Sequence, residues 1–262
     1  MTFAYQQAAS VADAAQAVRA NNEAKILAGG QSLLAAIKQG LAAPEALIDL
    51  SGLADLKGIK VEAGKVTIGA MSTHAAVAAS KELAAAIPAL ADLAGRIGDR
   101  QVRNRGTIGG SLANNDPAAC YPAAVLALNA TIHTDRRSMA ADGFFKGLYE
   151  TALAEGEIIS SVSFPVPEKA GWQKFKQPAS RFSIVGVFVA KTAGGVRVAV
   201  TGAGSCVFRA TAIEAALNSS WSAAAAQAVS ISDEGLNNDL HGSAAYRAAL
   251  IPVLAGRAVA AA

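Results

Sequence analysis

Ala28-Gly29-Gly30-Gln31-Ser32-Leu33 and Arg100-Gln101-Val102-Arg103-Asn104-Arg105-Gly106-Thr107-Ile108-Gly109-Gly110-Ser111 are the two stretches that decide this chain. The first follows a short apolar run, Lys25 to Ala28, that reads as a strand. It precedes Leu33 to Gln39, which reads as a helix ended by Gly40. Glycines there let the backbone take φ > 0 and approach a ligand closely. The amides that open the following helix favour an anion, and Ser32 adds a hydroxyl. The second stretch is polar and Gly-rich, and Asn114, Asn115 and Asp116 come just after it. Thr107 and Ser111 supply hydroxyls, and Gly109-Gly110 removes side-chain bulk. Arg100, Arg103 and Arg105 read either as solvated or as facing an anion or a partner protein. Each loop alone is also compatible with an ordinary tight turn. Together they suit a ligand with two phosphates, or one long ligand crossing both.

Outward from the first loop, residues 10–20 read as a helix capped by Ser10, with Asp13 in the first turn. Ala46 to Leu50 reads as a second strand. Ile59 and Val61, then Val66 and Ile68, alternate about Ala63-Gly64, which predicts a hairpin. Helical patterns follow at 73–79, at 81–95 interrupted by Pro88, and at 122–128. Ala130 to His133 and Glu157 to Phe164 read as strands, and Pro165-Val166-Pro167 as a linker. Beyond it, Trp172–Lys176, Phe182–Lys191 and Val196–Val200 read as three strands. The last two are antiparallel neighbours across Thr192 to Gly195. Helices near 209–218, 221–230 and 243–259 complete the chain. A third glycine motif, Gly202-Ala203-Gly204-Ser205-Cys206-Val207, imitates a dinucleotide fingerprint. Val207 replaces its last glycine, no acid stands near position 222, and the preceding strand follows a hairpin, so the motif is set aside.

Composition narrows the function. The 262 residues are 52% hydrophobic and 16% charged, which supports a large core and excludes a mostly disordered chain. The net charge is +3 with no basic run longer than two residues, unlike a nucleic-acid binder. Cys120 and Cys206 stand far apart, and His74, His133 and His241 are scattered singly. The chain therefore cannot ligate an iron–sulfur cluster alone, and no metal site is expected. No apolar run has a membrane-spanning length. The first twenty residues lack a signal-peptide pattern, so the cytoplasm is the expected compartment.

The two loops, in this order and spacing, resemble the medium, FAD-binding subunit of the molybdenum hydroxylases. This is the xanthine oxidase family, and its carbon monoxide dehydrogenase branch in particular. Ile68-Gly69-Ala70, Asp142-Gly143-Phe144-Phe145 and Lys176-Gln177-Pro178-Ala179-Ser180-Arg181-Phe182-Ser183-Ile184-Val185-Gly186 extend the resemblance over essentially the whole chain. It implies an α+β architecture: a two-subdomain FAD-binding fold of the vanillyl-alcohol oxidase type, then a small C-terminal domain of a three-stranded antiparallel sheet with helices. The corresponding bounds are 1–167, divided at about residue 55, and 168–262. The resemblance also implies that Leu27, Ala28, Gly29, Gly30, Gln31, Ser32 and Leu33, with Thr107, Ile108, Gly109, Gly110 and Ser111, hold the FAD diphosphate. Asp116 and Cys120 would lie close to the ribose, Ile159 near the flavin, and Lys176 beside the isoalloxazine ring, where a cation raises its potential.

Two positions depart from the family pattern. Cys120 stands where relatives often carry an Asp that binds the ribose, and a thiol is a poor hydrogen-bond partner. Arg181-Phe182-Ser183 lacks an Asp that some relatives carry. The implied function is electron transfer within a heterotrimer, commonly doubled. A large subunit would hold the molybdopterin cofactor and a small subunit two [2Fe–2S] clusters. FAD on this chain would link the clusters to an external acceptor, so no catalytic residue is assigned. The alternatives are a free-standing flavoenzyme resembling UDP-N-acetylenolpyruvoylglucosamine reductase, or a non-redox assembly module. The first lacks an obvious proton donor, and only Cys120 favours the second.

Overall fold

Strands alternating with helices at the N-terminal end build a small parallel sheet. In the computed structural model, which describes residues 3–262, β1 (Ala4–Gln7), β2 (Ala24–Leu27) and β3 (Ala46–Asp49) pair in the order β1-β3-β2, all parallel. The crossovers are α1 (Val11–Ala20) and α2 (Leu33–Lys38). Ser10 Oγ accepts from the Asp13 amide at 3.1 Å, so the expected cap starts α1. Ala14, Ala15 and Val18 on one side of α1 are buried with Ile48 and Leu50. The strand β1 has all four residues exposed and no alternation to announce it.

The second layer begins with the hairpin of β4 (Ile59–Glu62) and β5 (Lys65–Gly69). Ala63 and Gly64 both take positive φ, 50° and 73°, as a tight turn matched to strand twist requires. Six short helices follow: α3 (His74–Ala79), α4 (Lys81–Ala86), α5 (Pro88–Gly95), α6 (Arg100–Arg105), α7 (Ile108–Asn114) and α8 (Tyr121–Ala127). Pro88 opens α5, because a proline without an N–H suits a first helical position and cannot continue α4. Then come β6 (Thr131–Thr134), β7 (Ser138–Ala140), the small hairpin β8 (Phe145–Gly147) and β9 (Glu150–Thr151), and β10 (Ile159–Pro165). An antiparallel sheet of order β4-β5-β10-β6-β7 results. Every residue of α8 is buried, which makes it the centre of the largest core.

After Pro165-Val166-Pro167 the chain forms a meander of β11 (Lys169–Lys176), β12 (Ser183–Thr192), β13 (Gly195–Thr201) and β14 (Phe208–Arg209). The expected three strands are therefore four. The fourth is two residues long, too short for any periodicity to register. Helices α9 (Thr211–Ser219), α10 (Ala223–Gln227) and α11 (Ala244–Ala260) cover one face. Period-two alternation along β12 divides its side chains. Val185, Val187 and Val189 join the core under those helices, while Phe188 and Ala190 join the core around α8. Both faces of this sheet are thus buried, and each enclosed large side chain contributes roughly 2 kcal/mol. The meander becomes a wall of the layer that precedes it. Among the described residues, no helix is long and apolar enough to cross a membrane.

Candidate functional site

The two glycine loops meet. A Cβ on Gly29 would lie 2.0 Å from the Arg105 carbonyl oxygen and 2.8 Å from Gly106 Cα. Glycine at 29 is thus required by close backbone approach, whereas Gly30 is required by its φ of +73°. Between β2 and α2 the amides of Gln31, Ser32 and Leu33 find no acceptor among the described residues. Ser32 stands at the N-cap of α2; its carbonyl accepts from the Ala36 amide at 3.0 Å, but its hydroxyl makes no bond to the helix. Successive unpaired amides in a turn of this kind form a concavity for an anion. The loop is held from the side by Gln31 Nε2, which donates to the Gln101 carbonyl at 3.4 Å.

The second loop uses its amides internally. Ile108 donates to Ser72 O at 3.2 Å, Gly109 to Ala70 O at 2.8 Å, and Ser111 to Thr107 O at 3.0 Å. Gly110 donates to Thr107 Oγ1 at 3.1 Å, so Thr107 caps α7. Gly109 packs on the turn after β5, where its Cβ would meet Ala70 Cβ at 2.6 Å. Asn115 ends α7 in the left-handed region at φ 43°. Its Nδ2 donates to Gly147 O and Glu150 O at 2.8 Å each, docking the β8–β9 hairpin. The stretch from Arg100 is two capped helices rather than loop: Asp99 Oδ1 accepts from the Val102 amide at 2.8 Å to start α6. Arg103 is tied to the carbonyls of Ile97 and Gly98 at 3.0 Å each, while Arg100 and Arg105 are exposed.

Between the loops and the C-terminal meander lies a cavity of about 520 Å³, within the range of cofactor sites. Of the residues the sequence points to, Ala28, Gly29, Gly30, Gln31, Ser32, Leu33, Thr107, Gly110, Ser111, Asp116 and Cys120 line it together. Leu27, Ile108 and Gly109 stand behind the wall, and Ile159 is buried in the core around α8. Lys176 is exposed and outside the cavity; Lys174 lines it instead. A bulge at Ile184 of β12 lies beside them: Phe175 pairs with Val185 and Lys176 with Ser183.

Lys174 Nζ donates to Arg96 O at 2.9 Å and to Cys120 Sγ at 3.4 Å, and Ser183 Oγ lies 3.6 Å from the same sulfur. The buried thiol is therefore an acceptor for an ammonium, a contact no local pattern announces. Arg181, at φ 63°, donates to Gly98 O at 3.3 Å and brings Phe182 to the cavity, which sequence reading did not assign. Lys25, Lys174 and Arg181 line the cavity against one carboxylate, Asp116, so the lining favours an anion. Asp116 accepts from the Ala118 amide at 2.8 Å, and Tyr149 donates to it at 3.4 Å.

His74 also lines the cavity and was missed, because a single histidine carries no pattern. It is 5% exposed. Burial, helped by the nearby Arg103 guanidinium, lowers its pKa to about 4, so the ring is neutral at pH 7. Its ring lies 5.3 Å from that of Tyr121. The Tyr121 hydroxyl and His74 Nδ1 are both enclosed and have no partner among the described residues.

Residues 1–167 match the family model described as the FAD binding domain in molybdopterin dehydrogenase. The chain is 35% identical to the nicotine 6-hydroxylase medium subunit of Paenarthrobacter nicotinovorans, over 97% of this chain and 95% of that one. It is 34% identical to the carbon monoxide dehydrogenase medium chain of Hydrogenophaga pseudoflava, over 98% and 96%. A solved structure of carbon monoxide dehydrogenase from H. pseudoflava, lacking the Mo-pyranopterin moiety of its molybdenum cofactor, superposes with a TM-score of 0.90. It has 35% identity and covers all of this chain and 97% of that one. Quinoline 2-oxidoreductase from Pseudomonas putida 86 gives 0.89 at 30% identity, over 100% and 97%. With its fold, its paired loops and its whole length matched, the chain belongs to the FAD-binding medium subunits of the molybdopterin dehydrogenases and is the FAD-binding part of an oxidoreductase.

Proposed function

We propose that this chain holds FAD in the 520 Å³ cavity, with the diphosphate at the turn between β2 and α2, and serves as the electron-transfer subunit of a heterotrimer. The observation that carries the placement is the run of amides at Gln31, Ser32 and Leu33 with no acceptor among the described residues, in residues that line a cavity whose charged lining is mainly cationic. The Ser32 hydroxyl, and Ser111 across the gap, add donors to the same anion. Thr107 in the cavity wall, with Gly109 and Ile108 behind it, acts by fixing the second loop, and Leu27 by ending β2. Asp116 and Cys120 flank the ribose. Lys174, rather than Lys176, is the lysine of β11 that the cavity offers to the cofactor, beside Cys120, and Phe182 adds an aromatic face to the lining. Ile159 acts through the packing of the core around α8 and not by contact.

FAD, when bound, exchanges electrons singly or in pairs, so it can join one-electron clusters to a two-electron acceptor. The protein's share is binding, orientation and charge. The partners are a small subunit with two [2Fe–2S] clusters and a large subunit with a molybdopterin cofactor, as a dimer of heterotrimers in the cytoplasm. The name of one relative, a carbon monoxide dehydrogenase medium chain, is consistent with such a complex. The test is to purify the chain with the proteins that accompany it and measure flavin, iron and molybdenum. One FAD per chain with both metals in the same complex is expected. FAD without metals would leave a free-standing flavoenzyme, and a colourless chain that rejects added FAD would overturn the proposal.

A further inference from the structure

His74 opens α3 behind the junction of the two glycine loops. Its amide donates to the Gly106 carbonyl at 2.9 Å, and a Cβ on Gly106 would lie 2.5 Å from His74 Nε2. Gly106 has φ −58° and ψ 141°, a conformation open to any residue. Glycine there is explained by space for the imidazole and not by backbone strain. Both residues line the cavity. The ring makes no hydrogen bond among the described residues. Nδ1 is enclosed and unpartnered, while Nε2 is not enclosed. A neutral imidazole has one N–H. Orphaned buried N–H groups are rarer than under-satisfied acceptors. The proton therefore belongs on Nε2, the nitrogen beside the cleared space at Gly106.

What such a donor meets follows from its neighbours. Gly106 is pressed against Gly29, and Gly29 leads into the free amides of Gln31 to Leu33. We infer that His74 is a binding residue whose Nε2–H donates to a diphosphate oxygen of the dinucleotide, completing from the α3 side the donor set that those amides begin. This rests on the FAD reading above and goes further in assigning a side chain to the diphosphate. A neutral donor suits this place: it bonds the anion without adding a buried charge that would need its own partner.

The experiment uses the full chain freed of flavin, with FAD and ADP as separate probes, since ADP has the diphosphate without the flavin. Binding is measured for the wild type, His74→Gln and His74→Leu. Gln keeps an N–H near the position of Nε2; Leu does not. A hydrogen bond to a charged group is worth about 1.5–3 kcal/mol, so His74→Leu should weaken both FAD and ADP roughly ten- to a hundredfold. His74→Gln should stay within about threefold. In wild-type protein labelled with ¹⁵N-histidine, the Nε2–H resonance of His74 should move when ADP is added. That readout survives even if a variant fails to fold. Unchanged ADP affinity in His74→Leu, loss confined to FAD, or a static ¹⁵N signal each overturns the inference. A wild-type chain that binds neither probe removes the FAD reading, and this inference with it.

Discussion

The two glycine loops have similar composition and opposite uses of their backbone. At Gln31 to Leu33, which line the cavity, the amides have no acceptor among the described residues. At Ile108 to Ser111 the amides are consumed by Ala70, Ser72 and Thr107. On the FAD reading proposed above, the first loop binds and the second is a wall against which the first is placed. Glycine serves the first as a turn and a close approach. It serves the second as room for Ala70 and for the ring of His74. A glycine-rich motif therefore does not say by itself whether its amides are available. That is decided by where its hydrogen bonds end.

The contrast breaks most completely at the contact itself. Gly29→Ala puts a methyl 2.0 Å from a carbonyl oxygen, which only separation of the loops relieves. A cost of about 3 kcal/mol or more is expected. The FAD content of the purified variant should fall below about a tenth of wild type, a drop that thermal melting and flavin absorption would both record. Retention of full flavin would mean that the loops do not need to touch.

Next in size is a pH effect on the wall. His74 titrates near 4 in the folded chain and near 6.5 when unfolded. Between these values the unfolded chain binds more protons. Stability from this residue is therefore complete above 6.5, falls as the pH drops toward 4, and changes no further below it. Its full span is on the order of 3 kcal/mol at most. Urea unfolding at pH 7 and pH 4.5 should show a smaller difference in His74→Gln than in wild type. Equal differences would mean that His74 does not hold its neutral form in the fold.

These two residues mark the limit of what the sequence displayed. The order of strand, turn, helix and strand around Gly29 was legible because short apolar runs and glycine are local signals. The Ala63-Gly64 turn and the start of α5 at Pro88 were legible for the same reason. The strand β1 was not, because it is exposed and owes its existence to pairing with β3. That Lys174 lines the cavity and Lys176 does not is carried by no local signal, and the contact of Lys174 with Cys120 joins residues 54 positions apart. His74 acquires its meaning from Gly106, on another helix boundary, so no window along the chain contains both.

The finest form of the comparison separates stability from binding. Thr107 Oγ1 holds the Gly110 amide, so Thr107→Ala should cost about 1 kcal/mol and lower Tm by roughly 2–4 °C, and Thr107→Ser should restore it. Ser32 occupies the matching N-cap of α2, but its hydroxyl bonds nothing in that helix. Ser32→Ala should leave stability within about 0.5 kcal/mol of wild type. If its hydroxyl is reserved for the anion, FAD affinity should still fall by roughly threefold to tenfold. Melting curves of the flavin-free variants and FAD titrations of the same samples decide the matter. Should Ser32→Ala melt early while Thr107→Ala loses only affinity, the roles of the two loops would be exchanged: the turn at 28–33 would be the scaffold and the helix at 108–114 the donor.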